Sequence, residues 1–306
     1  MKRRDFIRTS VGASLASGAL IGTGALNEAF GSPANLQNSY DLVAIKGGEP
    51  DTMFMMAIAE LGCMGRFVKK GQTVVVKPNI GWDAPPERAA NTNPKLVGKI
   101  VEQCVKAGAK SVTVFDNTCD EWTRCYRNSG IEKAVKDAGG LVVSGNDQSK
   151  YRKISLPKGK SLKTAEVHEL IIQSDVFINV PVLKNHGGAT MSLAMKNLMG
   201  VVWDRGFWHK NDLHQCIADF ATYRKPDLNV IDGYNVMKRN GPRGVSVQDV
   251  VNMKYQILSA DMVAADAAAV KVFGLEISDV AHIGLAEQLM VGTSKLDTLS
   301  IKRISI

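Results

Sequence analysis

From Thr73 onward, apolar residues alternate between short continuous runs and stripes of helical spacing. Thr73–Lys77 is a β-branched run entered from Lys69-Lys70-Gly71 and closed by Pro78, the pattern of a buried strand. Asn93-Pro94 then opens a helix, with Asn as N-cap and Pro as the first residue. Its apolar stripe is Leu96, Val97, Ile100, Val101 and Cys104, and Gly108 ends it. Val112–Phe115 is the next strand, stopping at Asp116-Asn117. Ile131, Ala134, Val135 and Ala138 mark a second helix, halted by Gly139-Gly140, and Leu141–Val143 is a third strand. This βαβαβ series has right-handed crossovers as its expected connections, which makes a parallel sheet.

The second half repeats the style. Val176–Val180 reads as a strand and Ala189–Met199 as a helix preceded by Gly187-Gly188. Asp212–Tyr223 reads as a helix, Leu228–Ile231 as a strand ending in Asp232-Gly233, and Tyr255–Leu258 as a short strand. An alanine-rich helix runs from Asp261, its N-cap, to Phe273, with Gly274 at its C-terminal end. Thr298–Ile306 alternates weakly, as an edge strand does. No repeat of fixed period occurs. The expected class is α/β: a mostly parallel sheet with helices on both faces, its strand order open. The expected organisation is a leader over 1–31, a linker over 32–40 and one α/β domain over 41–306, with two sub-lobes, 41–150 and 151–306, as a variant.

The leader changes the picture of where the protein works. Lys2-Arg3-Arg4-Asp5-Phe6-Ile7-Arg8 places paired arginines just before Phe-Ile, and Val11–Leu26 follows without charge, diluted by Gly, Ser and Thr. A membrane-spanning helix needs about 20 strongly apolar residues, and this run is shorter and weaker. Ala29-Phe30-Gly31 supplies the small residues of a cleavage site. These features are those of a twin-arginine signal peptide, which implies the Tat translocase as partner and a periplasmic or otherwise extracytoplasmic mature protein, exported folded.

Charge and cysteines narrow the function. Of the formal +8, the first 31 residues hold four bases and two acids, leaving the remainder nearer +6. The bases are scattered and aromatics are 6% of the chain, which argues against nucleic-acid binding and suits a site for a small anion. No C-x-x-C pair or ferredoxin-like cysteine run occurs among the five cysteines, so an iron–sulfur cluster built from this chain alone is not expected. Cys119 and Cys125 are close enough for a disulfide across a turn, whereas six residues of helix would hold them about 9 Å apart; free thiols are the alternative. No G-x-S-x-G elbow, P-loop or H-E-x-x-H stands in the sequence.

Ligands of parallel α/β sheets bind beyond the carboxyl ends of strands. That points to Lys77-Pro78-Asn79, Asp116-Asn117, Pro181–His186 and Asp232-Gly233. Lys77 and Lys184 each follow apolar strands, where a lysine is costly unless it meets an anion. In Leu193–Gly200 (LAMKNLMG), Lys196 and Asn197 interrupt an apolar helix, and burial would make Lys196 a proton-transfer group, a Schiff-base amine or an anion clamp. Lys196 and His186 are therefore candidate catalytic residues, and Lys77, Asn79, Lys184 and Asn197 candidate substrate-binding residues. His186, His209 and His214 with Asp232 or Asp266 form a candidate set for Zn²⁺ or Fe²⁺, while His168 and His282 read as structural.

The strand end Lys77-Pro78-Asn79, the Asn91–Pro94 helix start, INVPVLKNH over 178–186, AMKNLMG at 194–200, IDG at 231–233, GP at 241–242 and SADMVAADA at 259–267 occur together. In that order they resemble the bacterial and archaeal domain-of-unknown-function 362 family, from about Val43 to Gly274. The resemblance implies an α/β domain, in some members joined to a ferredoxin-like iron–sulfur module whose cysteines are missing here, and it implies no particular reaction. Twin-arginine export resembles the route of proteins that fold around a cofactor first. The expected function is thus an enzyme acting on a small anionic substrate through lysines and histidine. The alternative is a metal- or iron–sulfur-associated binding or maturation protein for an exported redox partner.

Overall fold

The β-branched runs become the central strands of one ten-stranded sheet, seen in a computed structural model that describes residues 40–306. The leader over 1–31 and all but Tyr40 of the linker lie outside the described residues. The strands are β1 (Leu42–Lys46), β2 (Thr73–Pro78), β3 (Ser111–Val114), β4 (Leu141–Val142), β5 (Tyr151–Ser155) and β6 (Thr164–His168). They continue as β7 (Val176–Val180), β8 (Val182–His186), β9 (Thr190–Ser192), β10 (Leu228–Met237), β11 (Val250–Ser259) and β12 (Ile301–Ser305). The order is β12-β1-β11-β10-β7-β2-β3-β4, with β8 continuing along β10 and β9 turning back on β8. Strand β11 is antiparallel to both β1 and β10, while the β1–β12, β10–β7, β7–β2, β2–β3 and β3–β4 pairs are all parallel. Strands β5 and β6 form a separate hairpin.

Period-two alternation sorts the side chains onto two cores. Val43, Ile45, Val74, Val76, Ile178 and Leu258 meet the helices Pro50–Glu60, Pro94–Lys106 and Ile131–Asp137 on one face. Leu42, Ala44, Val75, Phe177 and Ile257 meet Leu213–Phe220, Met262–Phe273 and Ala281–Gln288 on the other. Helices therefore cover both faces of a mostly parallel sheet. Asn93 accepts the amide of Lys95 at 3.0 Å as its helix's N-cap, and all five residues of the anticipated stripe are buried.

Two expectations change. Ala189–Met199 is not one helix: Gly187-Gly188 is the turn of the β8–β9 hairpin, Thr190–Ser192 is extended, and only Ala194–Asn197 is α-helical before a 3₁₀ turn over Leu198–Val201. Apolar residues at i and i+4 fitted a helix, but Met191 and Leu193 are buried in a short extended stretch instead, an ambiguity inherent in short apolar runs. Strands β10 and β11 are also ten residues each: β10 continues past Asp232-Gly233, which marked its expected end, and β11 begins at Val250, five residues before its expected start. All five cysteines are free.

The chain leaves β2 toward β3 and β4 on one side, and β7 neighbours β10, with β11 beyond it, on the other. The boundary between β2 and β7 is thus a point where the strand order reverses, the place where open α/β sheets hold ligands. Strand β2 pairs β7 until Pro78 meets Val180; after Pro181 the chain continues as β8 on β10. A cleft opens there.

Candidate functional site

Its floor is a row of buried polar residues. Register aligns Lys77 with Asn179, Asn179 with Asn229, and Asn229 with Ser259, on four adjacent strands. All four are essentially inaccessible, so each polar atom needs a partner, an unpaired buried one costing about 1–3 kcal/mol. Asn179 donates to Asn229 Oδ1 and to the Ala194 carbonyl, both at 3.0 Å. Asn197 donates to Asn179 Oδ1 at 2.8 Å and to the Lys77 carbonyl at 3.2 Å, and its own Oδ1 accepts from Lys77 Nζ at 2.8 Å. Lys77 Nζ also reaches the Pro78 carbonyl and Asp116 Oδ1, each at 2.9 Å. Burial lowers the pKa of Lys77, and the adjacent Asp116 carboxylate opposes the shift.

Two features hold this floor to the short helix that carries Asn197. Asp266, buried within the Met262–Phe273 helix, accepts the amides of Ala194 (2.6 Å) and Met195 (3.1 Å). Burial pushes its carboxyl up to about 8 against those two donors. Gly200 lies directly on the ion pair: a Cβ there would stand 1.9 Å from Asp116 Oδ1 and 2.6 Å from Lys77 Nζ. Any larger residue must displace the pair.

The walls differ in kind. The cleft encloses about 570 Å³, lined in part by Lys184, His186, Lys196, Arg205, Cys119 and His209. Lys184, fully buried on β8, donates to Asn79 Oδ1 at 2.8 Å and to the Ala90 carbonyl, with no ion pair to a carboxylate among the described residues. Burial lowers it to about 7, and the positive charge of Lys196 adds to the shift. His186 Nδ1 accepts the amides of Gly188 and Ala189, both at 3.1 Å. This fixes the proton on Nε2, and burial together with the neighbouring lysines lowers the ring to about 3, so it is a neutral donor. The Arg205 guanidinium is anchored on the carbonyls of Asn117 and Thr118, each at 2.8 Å, and lies 3.6 Å from the exposed Cys119 Sγ.

Lys196 stands apart. Its Nζ has neither a hydrogen bond nor an ion pair among the described residues, yet the side chain is largely buried in the cleft wall. Burial lowers it to about 8, with Arg205 and Lys77 pushing the same way. The cleft thus presents four cations, Lys77, Lys184, Lys196 and Arg205, against two carboxylates. Of these, Asp116 is engaged by Lys77 and by the Ile80 amide at 2.7 Å, while Asp204 is exposed.

The structure brings together Lys77, Asn79, Lys184, His186, Lys196 and Asn197, but in two roles. Asn197 and Lys77 are saturated by internal bonds and hold the floor, whereas Lys196 has no partner among the described residues. The five anticipated metal ligands do not converge. Asp266 and Asp232 are both occupied by backbone amides, Asp232 by those of Asn93 at 2.7 Å and Tyr234 at 3.1 Å. His214 faces His282, Nδ1 to Nδ1 at 3.1 Å, and only His186 and His209 reach the cleft. Among the described residues no three His, Cys, Asp or Glu side chains gather as a metal would require. Arg205 and Asn179 were not anticipated. Asn179 had a signal, being an amide inside an otherwise apolar strand, where it must find partners; Arg205 had none.

Over residues 74–271 the sequence matches the domain of unknown function DUF362. A thylakoid-associated protein of Synechocystis sp. is 26% identical over 245 residues, which are 75% of this chain and 71% of that protein. Among solved structures, the lactate racemase apoprotein from Thermoanaerobacterium thermosaccharolyticum aligns with a TM-score of 0.46 and 13% identity, over 74% of this chain and 55% of that one. A protein from Thermotoga maritima aligns with a TM-score of 0.46 and 9% identity, over 79% of this chain and 60% of that one. The chain spans less than two thirds of either structure's length. It belongs to the DUF362 family.

Proposed function

We propose that this DUF362 protein binds a small organic anion in the cleft beyond β2 and β7 and is an enzyme acting on it through Lys196. The observation that carries the reading is the Lys196 amine, without a partner among the described residues, set beside Lys184 and Arg205 in a cleft where the buried carboxylate of Asp116 is already paired. A buried cation without a counterion is costly, and an anionic ligand supplies the missing charge. Lys184 and Arg205 are placed to hold its anionic group, Asn79 and His186 to donate to its oxygens, and Lys196 to exchange a proton or bond with it.

The test is calorimetric titration with small carboxylates and inorganic phosphate at fixed ionic strength, each carboxylate paired with its neutral amide. The expected result is saturable binding of at least one anion and none of its amide, weakened about tenfold or more in Lys196→Met. No anion binding across the set, or equal binding by the variant, overturns the reading.

Export by the twin-arginine route belongs to the same proposal, supported by Arg3-Arg4-Asp5-Phe6-Ile7 and in keeping with a thylakoid-associated relative. No helix among the described residues is long and apolar enough to cross a membrane. Replacing Arg3 and Arg4 together by lysine is expected to leave the precursor in the cytoplasmic fraction; unchanged export would remove this part.

A further inference from the structure

Three lysines surround the cleft, and their partners separate them. Lys77 has two oxygen acceptors and a carboxylate, Lys184 has two oxygen acceptors, and Lys196 has none among the described residues. An amine needed only for its charge could sit anywhere along the wall. Lys196 instead occupies the short helix tied at its start by Asp266 and at its end by the hydrogen bonds of Asn197. Its position is therefore fixed while its amine is free, the condition for attack on a bound electrophile rather than for loose attraction. Two further cations, Lys184 and Arg205, remain to hold a carboxylate beside it, and His186 offers a neutral N–H to an oxygen that is leaving or gaining charge.

We infer that Lys196 condenses with the carbonyl carbon of a small 2-oxo carboxylate to form an imine. This rests on the anion-site reading and names its substrate class. In a 2-oxo acid the electrophilic carbon is bonded directly to the carboxylate carbon, so a carboxylate held by Lys184 and Arg205 sets the carbonyl next to a neighbouring amine. The step balances without a further reactant. Lysine ammonium and ketone give a protonated imine and one water: the C–N bond forms, the C–O bond breaks, one ammonium proton stays on nitrogen and two leave with the oxygen. The cationic imine then draws electrons from the carbon on its other side from the carboxylate, so that a C–H bond there breaks, its electron pair forms the enamine C=C, and the proton passes to a base.

The experiment incubates the full chain with pyruvate and sodium cyanoborohydride, which reduces an imine to a stable secondary amine, and reads the adduct by intact mass and peptide mapping. The expected result is a single 1-carboxyethyl group on Lys196, absent from Lys196→Met, with acetone labelling about tenfold more slowly or less. Labelling spread evenly over surface lysines, or acetone as fast as pyruvate, overturns the inference. Calorimetry of pyruvate without reductant separates the two levels. Binding without trapping overturns the imine and leaves the anion site; neither binding nor trapping overturns the imine, and the anion site falls with it when the other carboxylates and phosphate also fail to bind. Mapping on the unaltered chain keeps the result independent of how the variant folds.

Discussion

The floor and the wall of the cleft are built from the same residue types and treated in opposite ways. On the floor, Lys77 meets Asp116, Asn197 and the Pro78 carbonyl, and Asn179, Asn229 and Asn197 interlock between β7, β10 and the short helix. On the wall, Lys196, the residue immediately before Asn197, has no hydrogen bond or ion pair among the described residues. Both lysines are lowered by burial, but only one is compensated. The difference distinguishes a lysine that holds the structure from one available to a ligand, although sequence position alone makes them look alike: each is a lone base in an apolar run.

The sharpest way to break the comparison is to unbalance the floor. Lys77→Ala leaves Asp116 as a buried, unpaired charge, and a loss of about 3–5 kcal/mol in stability is expected from chemical denaturation. Replacing the pair together, Lys77→Met with Asp116→Leu, should recover much of that loss. Gly200→Val acts on the same pair by overlap and is expected to lower the thermal midpoint by a comparable amount.

Asp266→Ala comes next. It strips the amides of Ala194 and Met195 of their acceptor, with about 1–3 kcal/mol of stability lost. Because the helix it anchors carries Lys196, anion affinity should fall along with stability.

The wall is expected to respond the other way. Lys196→Met should leave the denaturation midpoint unchanged or raise it, since a costly charge is removed, while anion affinity falls about tenfold or more. A floor residue cannot produce that split.

A smaller, graded effect is the pH dependence of binding. Lys184 at about 7 and Lys196 at about 8 lose their protons as pH rises, so anion affinity is expected to be highest below pH 7 and to decline through pH 7–8. His186, held near 3, contributes nothing to that window. Both lysines lie below their ordinary value, so the unfolded chain binds more protons between the folded and unfolded values. Their contribution to stability therefore rises with pH from about 7 toward about 10.4.

The mildest probe is thiol alkylation. Cys104, Cys125 and Cys216 are buried, with burial raising them to about 12, 12 and 11. Cys63 and Cys119 are expected to react first, and a bound anion should slow Cys119 and not Cys63, as read by peptide mass spectrometry.

The sequence carried much of the fold because the strands next to the cleft are long β-branched runs and the Pro94–Lys106 helix has both its cap and its stripe in place. It misled over 189–199, where Leu193, Asn197 and Gly200 fitted a helical stripe although the chain first turns through a hairpin. Segments of three or four residues are decided by tertiary pairing, here of β9 with β8. Lys77, Lys184 and Lys196 were legible as candidates because a lysine in apolar surroundings needs an explanation. Which of them had a partner was not legible, because Asp116 lies 39 residues beyond Lys77 and Asn197 120 residues beyond it. Asp266 and Asp232 looked like free carboxylates until distant backbone amides were found on them.

The most direct measurement is NMR titration of the lysine side chains, with Lys196 assigned through Lys196→Met, in the absence and presence of a bound carboxylate. The expected result is a Lys196 amine titrating near pH 8 when free and displaced upward when the anion binds, while Asp116 keeps Lys77 unresponsive to the ligand. A Lys196 that titrates near the ordinary lysine value of about 10.4, and does not move on adding the anion, would contradict the account at its centre.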